Sequence, residues 1–182
     1  SASYWDINYK IDGASGSAVQ AIENIGINTN TDILNGPRLD YNIHFKTSGT
    51  YYVWVRTLGA TNQDNAIHVG VDGNLLSEGG LAMGSSTNGE WKWGNNVIQG
   101  KDSVAFSIQE PGQHTLSVWM RKDGVNLDKI ILTQDANFTP KDLSYNESET
   151  FGMESEKFLI ESSNINALDF CRQGRIPQIS RK

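Results

Sequence analysis

The sequence predicts an all-β fold, an antiparallel β-sandwich of jelly-roll type followed by a less regular C-terminal appendage. Three observations predict it. Short runs alternating apolar and polar residues recur through residues 1–140, turn-forming Gly, Asp and Asn separate them, and no amphipathic helix of 12 residues interrupts them. At 182 residues the chain can bury roughly 70% of its unfolded surface, so stability requires neither disulfide nor metal.

The elements follow in order. Tyr4–Ile11 and Ser17–Gln20 open the series. Leu39-Asp40-Tyr41-Asn42-Ile43-His44-Phe45 alternates with period two, the mark of a half-buried strand, and Thr47-Ser48-Gly49 turns the chain. Thr50–Leu58 is aromatic and β-branched, which favours extended backbone. Ala66–Val71 alternates again and stops at Asp72-Gly73, a hairpin signal. Glu90–Trp93, Ser103–Ile108, His114–Met120 and Val125–Thr133 complete the set, the last three punctuated by Pro111-Gly112 and Lys122-Asp123-Gly124.

Composition changes near residue 140. Residues 1–140 hold all five Trp, five of six Tyr and 16 of 18 Gly, whereas 141–182 are mixed-charge and Gly-poor. The expected organisation is a β-sandwich module over 1–140 and a linker or the start of a neighbouring domain over 141–182. The opening residue is Ser1 rather than Met, so a mature or excised piece is expected.

Charge and motif content exclude several classes. Fifteen Lys and Arg against 21 Asp and Glu give a net charge of −6, the wrong sign for a face that neutralises phosphates, so no nucleic-acid partner is expected. No apolar run approaches the roughly 18 residues of a membrane helix, so no membrane partner is expected. Cys171 is alone, and His44, His68 and His114 lack zinc-ligand spacing. No G-x-S-x-G occurs, and Gly13-Ala14-Ser15-Gly16-Ser17 lacks the ending of a phosphate loop. Asp12, Asp72, Asp102 and Asp123 sit in turn contexts. No enzyme activity is expected.

Aromatic placement is the positive signal. On Thr50–Arg56, Tyr51, Val53 and Val55 share one face and Tyr52, Trp54 and Arg56 the other. On His114–Arg121, Leu116, Val118 and Met120 form the apolar face and leave Trp119 and Arg121 opposite. Trp54 and Trp119 therefore serve either a sugar platform or packing within the sandwich. Trp91 and Trp93 share a face when extended and follow the Gly- and Ser-rich stretch Ser77–Gly89, where binding residues are usually carried. An indole accepts the apolar C–H face of a pyranose and, being rigid, is ordered at little entropic cost, while Asn, Asp, Arg and His meet the hydroxyls. If the hairpins around Gly59–Asn65 and Lys122–Val125 open at one edge, Arg56, His68, Arg121 and Asn126 cluster there. For Arg56 and Arg121 the alternative is an ion pair with Asp64 or Asp123.

Gly49-Thr50-Tyr51-Tyr52-Val53-Trp54-Val55-Arg56, Trp91-Lys92-Trp93, Pro111-Gly112-Gln113-His114-Thr115-Leu116 and Val125-Asn126-Leu127-Asp128-Lys129-Ile130 occur in this order. Together they resemble the non-catalytic carbohydrate-binding modules of the family 6 and family 35 type, β-jelly rolls appended to secreted bacterial polysaccharide-degrading enzymes. The resemblance spans about residues 12–140. It implies a polysaccharide or oligosaccharide ligand, attachment to a larger multidomain enzyme, and an extracellular or cell-surface location. It also implies that Trp91 or Trp93 stacks on sugar and that Asn126 hydrogen-bonds hydroxyls. The family's second aromatic comes from the loop here spanning Asn28–Arg38, which has none and leaves Asn30, Asp32, Asn35 or Arg38 as polar substitutes. A lone platform with Arg and His nearby suits a partly anionic or anhydro-sugar chain, such as an algal galactan. The family's structural calcium uses an E-x-E pair on the first strand. Here that strand reads Ser3-Tyr4-Trp5-Asp6-Ile7, and an E-x-E occurs only at Glu154-Ser155-Glu156; no cofactor is expected. Competing readings are an adhesive or structural sandwich docking another domain, and a small jelly-roll hydrolase or lyase.

Overall fold

The computed structural model describes residues 4–6, 11–15, 18–29, 31–76, 89–97, 103–141, 143 and 145, together with the strand backbones at 150–151, 157–160, 166–169 and 178–180. Two sheets face each other. The first has the path β1 (Tyr4–Asp6), β2 (Val19–Ile22), β10 (Asn126–Thr133), β4 (Gly49–Leu58), β7 (Lys92–Gly94), with β8 (Ala105–Ile108) also pairing β4. The second contains β3 (Arg38–Phe45), β9 (Gly112–Met120), β5 (Ile67–Val71) and β6 (Asn74–Leu75) in that order. The pairs named here are antiparallel. The expected all-β sandwich is what the chain forms; its described helical content is a single 3-10 turn at Ile33–Asn35.

Period-two alternation builds the core. Leu39, Ile43 and Phe45 of β3, Tyr51, Val53 and Val55 of β4, and Leu116 and Val118 of β9 are completely buried, with Ile67, Leu127, Ile130 and Leu132 between them. β6 was not expected as a strand. It follows from Asp72-Gly73, whose φ angles of 51° and 79° form the tight turn that a two-residue hairpin needs.

β10 carries the local irregularity that matters. Leu127 faces Thr57 and Lys129 faces Arg56, so Asp128 is an extra residue in the ladder. Such a bulge re-aims a side chain, and here it turns the Asp128 carboxylate onto Arg56.

Four short strands lie beyond residue 140: β11 (Thr150–Phe151), β12 (Lys157–Ile160), β13 (Asn166–Asp169) and β14 (Gln178–Ser180). β12 runs parallel to β3, β14 antiparallel to β3, and β13 antiparallel to β10. The segment read from composition as a linker or a neighbouring domain thus contributes strands to both sheets. Asn30, the Ser77–Asn88 stretch, Glu154-Ser155-Glu156 and Cys171 lie outside the described residues.

Candidate functional site

The outer face of the first sheet carries the aromatic residues. β7 pairs β4 with Trp93 opposite Arg56 and Lys92 opposite Thr57. Trp91, two residues before Trp93, is then on the same face and just past the end of the ladder. Both indoles are half-buried, leaving part of each ring to solvent.

Trp91 is held from several sides. Its Nε1–H donates to the Asp12 carbonyl at 3.0 Å. The ring lies against the Gly13 backbone, where an added Cβ would come within 3.1 Å of Trp91 Cδ1 and where φ is +81°. The Arg56 guanidinium sits 5.0 Å from the ring centroid, a cation–π distance. Arg56 in turn donates to the Asp128 carboxylate and, at 2.9 Å, to the Gly13 carbonyl. Asp128 Oδ1 also accepts the Ser15 main-chain N–H at 3.0 Å and its hydroxyl at 2.8 Å. The Asp128 side chain is fully buried and that of Arg56 is 11% exposed. One buried ion pair therefore staples residues 11–15 to the sheet and backs one face of Trp91.

Trp93 begins an aromatic strip. Its ring meets Tyr145 edge-on at 6.3 Å, Tyr145 meets Phe138 at 5.7 Å, and Phe138 meets Trp54 at 6.3 Å. All four are half-buried. Trp54 thus packs outside the sandwich, against the segment that follows β10.

The expected rim does not assemble. Both loops do lie at one end, where Lys122 Nζ donates to Asn65 Oδ1 at 3.0 Å across the two turns. However, β4 and β5 belong to different sheets, which puts Arg56 and His68 in opposite layers. His68 is buried on β5, its Nε2–H donating to the Thr29 carbonyl at 3.2 Å. Asn126 is 3% exposed and directs its Nδ2 hydrogens to the Leu58 and Gly124 carbonyls, both at 3.1 Å. Its amide holds the turn rather than meeting solvent, and its Oδ1 is buried without a hydrogen-bond partner among the described residues. Arg121 is half-buried, and burial lowers its pKa from the ordinary guanidinium value. Nor does Arg56 pair with Asp64 or Asp123, which accept from Thr61 and Ile25 instead.

The polar substitutes in the loop before β3 lie elsewhere. Arg38 pairs with Asp40 at 2.9 Å and covers Trp119, its guanidinium 5.6 Å from that ring. Trp119 is fully buried on the outward face of β9. Asp32 is exposed in a left-handed conformation and accepts from Asn35 Nδ2 at 2.5 Å. The site therefore brings together Trp91, Trp93 and Arg56, and leaves His68, Arg121, Asp32 and Arg38 apart. Asp128, Ser15, Phe138 and Tyr145 are the contributors the sequence reading missed; the Asn126-Leu127-Asp128 tripeptide was the available signal, read on its first residue instead of its third.

The acid pair implied for calcium is not met on the first strand, where Asp6 is the one acid between residues 3 and 7. Among the described residues no group of three or more His, Cys, Asp and Glu could hold a metal ion.

The two-layer sandwich has the fold of the family 35 carbohydrate-binding modules. It is similar to the Podospora anserina GH26-CBM35 β-(1,4)-mannanase (TM-score 0.51, 14% identity, 79% of this chain and 27% of that one). It is also similar to the CBM35 from Paenibacillus barcinonensis (TM-score 0.50, 16% identity, 72% of this chain and 89% of that one). The chain belongs to the family described as the glycosyl hydrolase family 115 C-terminal domain, whose model matches residues 2–146. A curated relative, uncharacterized protein P23 of Formosa agariphila, is 25% identical over 154 residues, covering 75% of this chain. The alignment spans 37% of that relative's length.

Proposed function

We propose that this chain is a non-catalytic carbohydrate-binding module that holds an attached polysaccharide-degrading enzyme on its substrate. The observation that carries the proposal is the Trp91/Trp93 pair, presented on one face and partly open to solvent, with Trp91 fixed from behind by Arg56 and Asp128. A pyranose lays its C–H face on the indole, and its hydroxyls reach the polar atoms at the rim. A rigid ring is ordered before the ligand arrives, so little entropy is lost on binding. Family membership and the fold of the carbohydrate-binding modules support the same reading. Because such a polymer is met outside the cell, the module works in the extracellular space or at the cell surface. A single shallow platform corresponds to a Kd of roughly micromolar to millimolar.

Affinity electrophoresis in gels containing agarose, xylan, mannan, alginate or chitin tests the proposal. Retardation in at least one gel, lost in Trp91→Ala or Trp93→Ala, is the expected result. Unretarded migration of the folded parent protein in every gel overturns it.

The strip Trp54–Phe138–Tyr145–Trp93 favours a second reading, a sandwich whose outer face docks another domain. Self-association in sedimentation velocity without any sugar-induced change in Trp fluorescence would select it.

A further inference from the structure

An open strand edge offers its N–H and C=O groups to any other strand, so each edge of a sandwich needs a cover. One side of this sandwich is bounded by β3 in the second sheet and by β10 in the first, with β2 pairing β10 at Asn126 and Leu127. Trp5 of β1 is buried and donates its indole N–H to the Pro37 carbonyl at 3.3 Å, just ahead of β3. The short β1–β2 pair therefore closes one half of that side. The other half is taken by strands from beyond residue 140. β12 pairs residues 42–45 and β14 pairs residues 38–40, so the two lie end to end along β3. β13 pairs residues 129–132 of β10, beginning just past the stretch that β2 holds.

The register follows the core. Phe158 and Ile160 stand opposite Ile43 and Phe45, Ile179 opposite Leu39, and Leu168 opposite Ile130. Each of those four partners is a buried core residue. Lys157, Gln178, Ser180 and Asp169 stand opposite Asn42, Asp40, Arg38 and Lys129, on the alternate positions. Asn166, opposite Leu132 at the start of β13, is the departure. A slip of one residue would invert the match, which is how alternation specifies a pairing. All of these strands lie beyond residue 146, where the match to the family model stops.

We propose that residues 150–180 form an edge clasp, a segment that pairs with the open sides of β3 and β10 of its own chain and denies them to a strand of a second copy. An extended segment with the same alternation would otherwise add to either edge. The part of the chain that composition sets apart thus completes both sheets.

Hydrogen exchange of the full chain, read by mass spectrometry at a low and a high protein concentration, tests the clasp. The expected result is exchange at least about tenfold slower than coil rates over 157–160, 166–169 and 178–180, at both concentrations. Coil rates in these segments overturn the inference. So does protection present only at high concentration, because the strands then come from a second copy. Substitutions check the register. Phe158→Asp and Leu168→Asp place a charge opposite core positions. They should speed exchange by about tenfold or more in the clasp-facing amides of 38–45 and of 129–132, respectively. Leu159→Asp, opposite His44, should leave both unchanged. Equal effects of all three substitutions overturn the inference, and if a variant fails to fold the parent's exchange decides alone.

Discussion

Asp128→Asn tests the staple beneath the platform. The substitution keeps the shape of the side chain and removes its charge. Asp128 is fully buried and accepts from Arg56, the Ser15 N–H and the Ser15 hydroxyl. With the charge gone, Arg56 remains 11% exposed and uncompensated. Either orientation of the new carboxamide also sets its NH2 group against Arg56 or against the Ser15 donors. Breaking one partner of a buried pair costs about 3–5 kcal/mol, a large share of the roughly 5–15 kcal/mol that stabilises a typical domain. At about 2–4 °C per kcal/mol for a domain of this size, Tm should fall by roughly 6–20 °C. Calorimetry of parent, Asp128→Asn, Arg56→Met and the double variant supplies the assay. The double variant should lose less than the sum of the singles, since removing both charges leaves neither stranded. A loss below about 1 kcal/mol for Asp128→Asn, or strict additivity in the cycle, refutes the reasoning.

Three further outcomes follow from other parts of the fold. His114 Nδ1 contacts Asp72 at 2.7 Å and its Nε2 contacts the Glu110 carbonyl at 3.0 Å, an arrangement the imidazolium satisfies with both N–H groups. Burial pulls the His114 pKa down, but the bonds to Asp72 and Glu110 outweigh it and raise the pKa above 6.5; burial likewise opposes a lowering of Asp72 below 3.8 that His114 and Thr115 bring about. The His114 contribution is therefore complete below pH 6.5 and fades as pH rises through its raised folded value, while that of Asp72 fades as pH falls through its lowered one. Denaturant melts should show Asp72→Asn less stable than the parent by about 0.2–1 kcal/mol in mildly acidic buffer, with the gap closing in alkaline buffer. Gly70→Ala drives a methyl into the Asn74 carbonyl oxygen and to 2.7 Å from the Trp119 ring, so the same melts should register a loss of about 1–3 kcal/mol. Asn126→Ala removes two hydrogen bonds to backbone carbonyls and should cost about 1–3 kcal/mol, with sugar affinity unchanged once the sample is held well below its Tm.

The faces of β3, β4 and β9 were legible because a half-buried strand writes its two environments into alternate residues. Leu116, Val118 and Met120 point inward as the alternation requires. Alternation reports a face and not a layer, however. Arg56 and His68 looked like neighbours because a short loop joins their strands, yet that loop crosses between the sheets. The outward face of Trp119 was equally legible; its burial was not, because Arg38 and Gly70, both distant in sequence, close over it. Asn126 read as an exposed amide since it follows a turn, whereas neighbouring carbonyls claim it. The bulge that aims Asp128 inward leaves no trace in local hydropathy, and so the counter-ion of Arg56 went unseen.

Isothermal titration of the polymer that the gels select, on parent and Trp91→Ala, tests the central claim most directly. The account predicts one weak site in the parent and a loss of at least about tenfold in affinity on removing the indole, roughly 1.4 kcal/mol or more. Equal affinity in both proteins, with the variant shown to be folded, would contradict it.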